Sequence, residues 1–116
     1  MSDEQDADAV LELLGDEYVR DILAATSERP HSARELGEVC GSSRSTVYRR
    51  VDDLLEHDLL VEGTRIDDDG SHVNVYEAAL EGLELELDDG HFAIDLDVKE
   101  DAAWRFTRLW EDIKNS

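Results

Sequence analysis

Apolar and polar positions recur along this chain with two different periods, and the change from one to the other divides it. After a polar lead-in over Asp3–Asp8, Val10, Leu11 and Leu14 begin an apolar stripe that Gly15-Asp16 interrupts. Val19, Ile22, Leu23 and Thr26 then follow helical spacing and predict a helix from about Asp16 to Ser27, broken by Arg29-Pro30-His31. Ser32 is placed to cap the next helix, with Glu35 three residues on completing a capping box. That short helix, Ala33–Cys40, is expected to bury Leu36, Val39 and Cys40. Gly41 follows, in the position of a left-handed C-cap residue. Ser42 or Ser43 caps a third helix reaching about His57, whose Val47, Val51, Leu54 and Leu55 share one face.

After Asp58 the period becomes two. Leu60–Ile66 reads as a strand, Asp67-Asp68-Asp69-Gly70-Ser71 as a turn, and His72–Ala79 as the returning strand. A second hairpin follows. Leu83, Leu85 and Leu87 alternate with Glu84 and Glu86, Asp88-Asp89-Gly90 turns the chain, and Phe92, Ile94, Leu96 and Val98 return with Ala93, Asp95 and Asp97 between them. One face is apolar and the other acidic, the pattern of a sheet covered on one side. Lys99–Lys114 is expected to form a final helix with Phe106, Leu109, Trp110 and Ile113 on one stripe and Trp104 beside it.

The length of 116 residues is that of one domain, able to bury roughly 65% of its unfolded surface. The expected architecture is α+β, with three parts: a core over 9–80, an acidic β-hairpin over 81–98 and a C-terminal helix over 99–116. Hydrophobic residues make up 41% and are spread throughout, which excludes a disordered acidic tail. No apolar run approaches the ~18 residues of a membrane span, and the acidic start lacks the basic and apolar regions of a signal peptide. A soluble cytoplasmic protein is expected. The single Cys40 excludes an intrachain disulfide and a cysteine-built zinc site, and reads as a buried structural thiol rather than a redox switch. His31, His57, His72 and His91 lack metal-ligand spacing, and neither a nucleophile–base–acid set nor a phosphate loop is recognisable. Three consecutive Asp before Gly70 lack the alternating spacing of a calcium loop and read as a solvated turn. No metal, no cofactor and no enzymatic activity are expected.

The charge complicates any partner. Asp and Glu number 31 against 11 Lys and Arg, a net charge of -20. Such a balance ordinarily opposes nucleic acid, where affinity is built on cations meeting phosphate. Yet residues 1–28 carry -8 and 66–116 carry -11, leaving only -1 on 29–65. Within that middle stretch, Gly41–Arg50 contains Arg44, Arg49 and Arg50 and no acid. Only two of the 11 cations are lysines, and Asp (17) outnumbers Glu (14). That composition resembles proteins of halophilic archaea; the alternative is an acidic mesophilic protein.

Helix, tight glycine-containing turn, helix, then strand–turn–strand is the order of a winged helix-turn-helix. The stretch Ser32-Ala33-Arg34-Glu35-Leu36, Cys40-Gly41-Ser42-Ser43-Arg44-Ser45-Thr46-Val47-Tyr48-Arg49-Arg50-Val51, Leu54-Leu55 and Asp58-Leu59-Leu60-Val61 resembles that family. The likeness covers about residues 16–80 and extends to ArsR-like and related small regulators of haloarchaea. It implies a recognition helix over about 43–57 in the major groove of double-stranded DNA. The outward face there holds Ser43, Arg44, Ser45, Tyr48 and Arg49. Arg44 and Arg49 can bond guanine edges or grip phosphates, Ser42, Ser43, Ser45 and Thr46 can contact phosphate or bases, and Arg50 completes the cationic set. In the wing, whose tip is three aspartates, only Arg65, His72 and Asn74 are candidates to touch DNA.

Trp104, Phe106, Leu109, Trp110 and Ile113 are too apolar to lie exposed on a small monomer and are expected to pair two subunits. The alternative is that they cover the chain's own sheet. The leading function is a homodimeric, sequence-specific transcriptional regulator working at high salt on a palindromic operator, with a transcription-machinery partner in addition. A protein-interaction module with weak or absent DNA binding stands second, and a DNA mimic is a distant third.

Overall fold

Local signals settle where the helices begin and end. The computed structural model describes residues 7–99. Helix α1 (Ala7–Leu14) buries Val10, and α2 (Glu17–Glu28) starts where the Asp16 side chain accepts the Tyr18 N–H at 2.8 Å. A two-residue strand β1 (His31–Ser32) leads into α3 (Ala33–Cys40). Both arms of the expected capping box form: Ser32 Oγ accepts from Glu35 N at 3.2 Å, and Glu35 Oε1 accepts from Ser32 N at 2.9 Å. Gly41 ends α3 at φ 65°, a left-handed conformation that costs glycine nothing. Ser43, rather than Ser42, caps α4 (Arg44–Glu56).

Strands β2 (Leu60–Ile66) and β3 (His72–Ala78) form the first hairpin, and β3 pairs on its other edge with β1, giving an antiparallel order β1-β3-β2. The hairpin is anchored at its base, where Leu60, Val61, Val75, Tyr76 and Ala78 are buried, and open at its tip. Strands β4 (Leu80–Asp88) and β5 (His91–Val98) make a separate two-stranded ribbon.

The core lies between α2, α3, α4 and the base of the first hairpin. Its members include Ile22, Leu36, Val47, Val51, Leu54 and Leu59, with Leu55 packed against it half-buried. Thr26 is fully buried because its hydroxyl donates back to Ile22 O at 2.7 Å, satisfying the polar group within its own helix. Burial likewise pushes the Tyr76 hydroxyl up to about 12.

Two burial expectations change. Val39 is half exposed and Cys40 only partly buried. Ala33, Leu36 and Cys40 share the inward arc of α3, and Val39 sits about 100° round from its centre at 100° per residue. The Cys40 thiol lies 4.0 Å from Tyr18 O, and burial, then the nearby Asp21 charge, raise its pKa, so it stays protonated. The second hairpin departs further: Leu83, Leu85, Leu87 and Phe92 on its apolar face are exposed. Of the predicted helix over 99–116 only Lys99 is described, as non-helical backbone whose N–H donates to Ala79 O at 2.9 Å; the five large apolar side chains lie outside the described residues.

Candidate nucleic-acid interface

The tight turn at Gly41 projects the first turns of α4 outward while its Val47–Val51–Leu54 face enters the core. Ser43, Arg44, Ser45, Tyr48 and Arg49 are accordingly exposed. At the helix start the hydroxyls form a small network. Ser43 Oγ accepts the Thr46 N–H at 3.3 Å, donates to Thr46 Oγ1 at 3.0 Å and lies 3.2 Å from Ser45 Oγ. Ser42 is held by its N–H bond to Gly37 O at 3.1 Å. The cap thus orders three hydroxyls beside the first exposed arginine, at a helix terminus whose partial positive charge favours a phosphate.

Between this end of α4 and the wing runs an open groove of about 580 Å³. It brings together Arg44 and Tyr48 from α4 with Arg65, His72 and Asn74 from β2 and β3. The two α4 residues lie 17 to 30 positions before the three wing residues in the chain. Arg49 faces elsewhere, toward a smaller hollow shared with Glu12, Asp16 and Asp53. The face therefore has two sides, with Arg44 toward the wing and Arg49 toward α1 and α2.

Two candidate arginines are engaged within the chain. Arg50 Nε bonds Asp16 Oδ2 at 2.9 Å and its guanidinium lies 5.0 Å from the Tyr18 ring centroid. Burial acts to raise the Asp16 pKa, but the Arg50 hydrogen bond and the Tyr18 N–H outweigh it and hold the carboxyl below its ordinary 3.8. Arg50 thus ties α4 to the start of α2. Arg65 places Nη1 and Nη2 on the two Glu35 oxygens, each at 3.2 Å, and Nε on Asp67 Oδ1 at 2.8 Å. The Arg65 bonds, then the Ser32 N–H, hold Glu35 below its ordinary 4.5. One carboxylate therefore serves both the α3 cap and the wing.

Arg34 escaped the sequence reading. It is exposed at the start of α3 and lines the same groove. Its signal was its place in the first helix of the pair, the element that crosses the DNA backbone in such motifs. Carboxylates also enter from a distance: Glu35, Glu38 and Asp67 balance Arg34, Arg44 and Arg65 around the groove. An acid-free segment of chain is not an acid-free surface.

Residues 14–63, which run from the end of α1 into β2, match the model of a helix-turn-helix domain family. The fold is that of a winged helix-turn-helix. It is similar to that of NolR from Sinorhizobium fredii, with TM-score 0.51, 19% identity, and coverage of 63% of this chain and 68% of that one. A structure from Methanosarcina mazei Go1, described as a "possible transcriptional regulator", aligns with TM-score 0.49 at 21% identity. It covers 62% of this chain and 63% of that one, so less than two thirds of that protein's length is spanned. No curated protein sequence matches. The matched stretch ends within β2, and β3 and the β4–β5 ribbon follow it in the chain.

Proposed function

We propose that this chain is a sequence-specific, DNA-binding transcription regulator that acts as a homodimer in concentrated salt. The observation that carries this reading is the exposed Ser43, Arg44, Ser45, Tyr48 and Arg49 face on the second helix of a helix-turn-helix. In such motifs the first turns of that helix enter the ~12 Å major groove. Arg44 and Arg49 supply bidentate donors to guanine edges or phosphate, and the Ser43–Ser45–Thr46 hydroxyls supply contacts beside them. Arg34 grips backbone from the first helix, and His72 and Asn74 approach it from the wing. Arg50 and Arg65 hold the reading head together.

A field of -20 is compatible with this role at high salt. At 1 M the Debye length is ~3 Å, so distant carboxylates hardly act on an approaching duplex. Counterion release is weak there too, and bonds at contact distance carry affinity. The apolar stripe Trp104, Phe106, Leu109, Trp110 and Ile113 supports pairing of two copies, whose two-fold axis would match a palindromic operator.

The test is operator selection from a random duplex pool in multimolar KCl, followed by a shift assay. Arg44→Ala and Arg49→Ala are expected to weaken specific binding by about 1–3 kcal/mol each if they read bases. Unchanged affinity in both variants would remove α4 from the interface. A protein-interaction module remains the second reading, favoured by the Asp67–Asp69 wing tip and by the Glu35 and Asp67 clamp on Arg65. Failure of the wild type to enrich any duplex would select it. Light scattering at high KCl is expected to give twice the 13.1 kDa chain mass.

A further inference from the structure

Nine large apolar side chains are exposed among the described residues, and five of them lie on one ribbon: Leu83, Leu85, Leu87, Phe92 and Val98. The β4–β5 register sets Leu83 opposite Leu96, Leu85 opposite Ile94 and Leu87 opposite Phe92, so three apolar pairs line one face. Glu84 opposite Asp95 and Gly82 opposite Asp97 line the other. An isolated two-stranded ribbon is marginal in water, and its stability depends on a layer over the apolar face. Exposed side chains contiguous on one face make a patch of the kind, ~300–600 Å², that is the largest on a typical monomer.

We propose that this face is the seat for residues 100–116 of a second copy of the chain. The proposal rests on the homodimer reading above and names the surface that the terminal stripe meets. Length is the first support. The 17 residues after Lys99 span about 25 Å as a helix, against about 20 Å for Leu83–Asp88 as strand. At helical spacing their Phe106, Leu109, Trp110 and Ile113 would fall on one stripe.

Charge is the second support. Residues 80–98 hold seven acids and no Lys or Arg, so two ribbons brought together repel. Of the four cations of 66–116, Arg105, Arg108 and Lys114 lie in 100–116 against four acids, so that segment carries only -1. A stripe flanked by Arg105 and Arg108 suits a ribbon whose charged side chains are all carboxylates.

Area decides between the chain's own segment and its partner's. The ribbon face supplies about half of the ~800 Å² that each partner contributes to a standard interface. A stripe folded on its own ribbon uses up both apolar surfaces within one chain. Exchanged between copies, each chain contributes a ribbon face and a stripe, the contact forms twice, and the total reaches the size a stable dimer requires.

Disulfide trapping in a Cys40→Ser background tests this, Cys40 being the only native cysteine. One chain carries Leu83→Cys, Leu85→Cys or Leu87→Cys, and a second, mass-tagged chain carries Leu109→Cys or Ile113→Cys. The two are mixed, exchanged and oxidised at high KCl. A crosslinked species containing one chain of each mass is the expected result. In doubly substituted chains, an intrachain bond at monomer mass, with light scattering of the unoxidised protein still reporting a dimer, would overturn the exchange and leave the dimer standing. The absence of any ribbon-to-segment bond in a dimeric protein would overturn it equally. A monomeric mass before oxidation would overturn both readings. Unchanged far-UV circular dichroism in each variant shows that folding is intact.

Discussion

The hairpins β2–β3 and β4–β5 are both written in alternating apolar and polar residues, yet only the first is anchored. In β2–β3 the central strand has neighbours on both edges, and its base, at Leu60, Val61, Val75, Tyr76 and Ala78, is pressed into the helical core. Among the described residues, each strand of β4–β5 pairs only with the other, and Leu80 and Leu96 are its side chains packed against that core. Alternation specifies that a strand forms and which side chains share a face. Whether the face is buried depends on a layer that the strand's own pattern does not encode. The anchored hairpin is shaped to present its tip beside α4, while the ribbon presents its flank.

The comparison breaks most visibly at its anchored end. Tyr76→Ala removes an aromatic side chain 4% exposed at the wing base and is expected to cost about 3–5 kcal/mol in chemical denaturation. If the loss were below 1 kcal/mol, the wing base would not be core. Ser32→Ala removes the cap that joins β1 to α3 and is expected to cost about 1 kcal/mol, up to ~2. The helical signal should fall little while the melting temperature drops by several degrees.

Arg65→Ala opens the clamp between wing and α3. Because both partners are about a third exposed, its cost in stability is expected at only ~0.2–1 kcal/mol. Its signature is in acid. The Glu35 pKa is lowered on folding, so its contribution is full above the ordinary value of 4.5 and is lost as pH falls from there through the folded-state value. Removing Arg65 raises that folded pKa, and the variant's stability should decline less steeply with acid below pH 4.5 than the wild type's. Identical slopes would show that the clamp does not form in solution.

The smallest intrinsic effect is expected on the ribbon. Leu85→Ala, at a position 43% exposed, should change the stability of the dilute chain by no more than ~0.5 kcal/mol. Its cost should instead grow with protein concentration, as the wild type gains stability from pairing and the variant gains less. A concentration-independent loss above 2 kcal/mol would mean that the face is already buried within one chain.

Much of the site was legible because its causes are local. The capping box at Ser32 and Glu35, the left-handed Gly41 and the Ser43 cap act over three or four residues, and so does the spacing that turns Val47, Val51 and Leu54 inward. Once those are read, the outward set Ser43, Arg44, Ser45, Tyr48 and Arg49 follows from 100° per residue. Val39 was misread for the complementary reason. In so short a helix, a neighbouring apolar letter does not show which arc the rest of the chain will cover.

What the sequence by itself determined is therefore the order of elements, their caps and turns, and the face that α4 offers. The tertiary structure alone decided which arginines remain on offer. Asp16 lies 34 residues from the Arg50 it binds, and Glu35 lies 30 from Arg65. It also brought Arg34, Glu38 and Asp67 to a groove opened by distant segments, and left Leu83, Leu85, Leu87 and Phe92 of the ribbon exposed. The physical reason is one of range: hydrogen bonds within a turn are set by neighbours in the chain, whereas ion pairing and burial are set by whatever folding carries within a few ångströms.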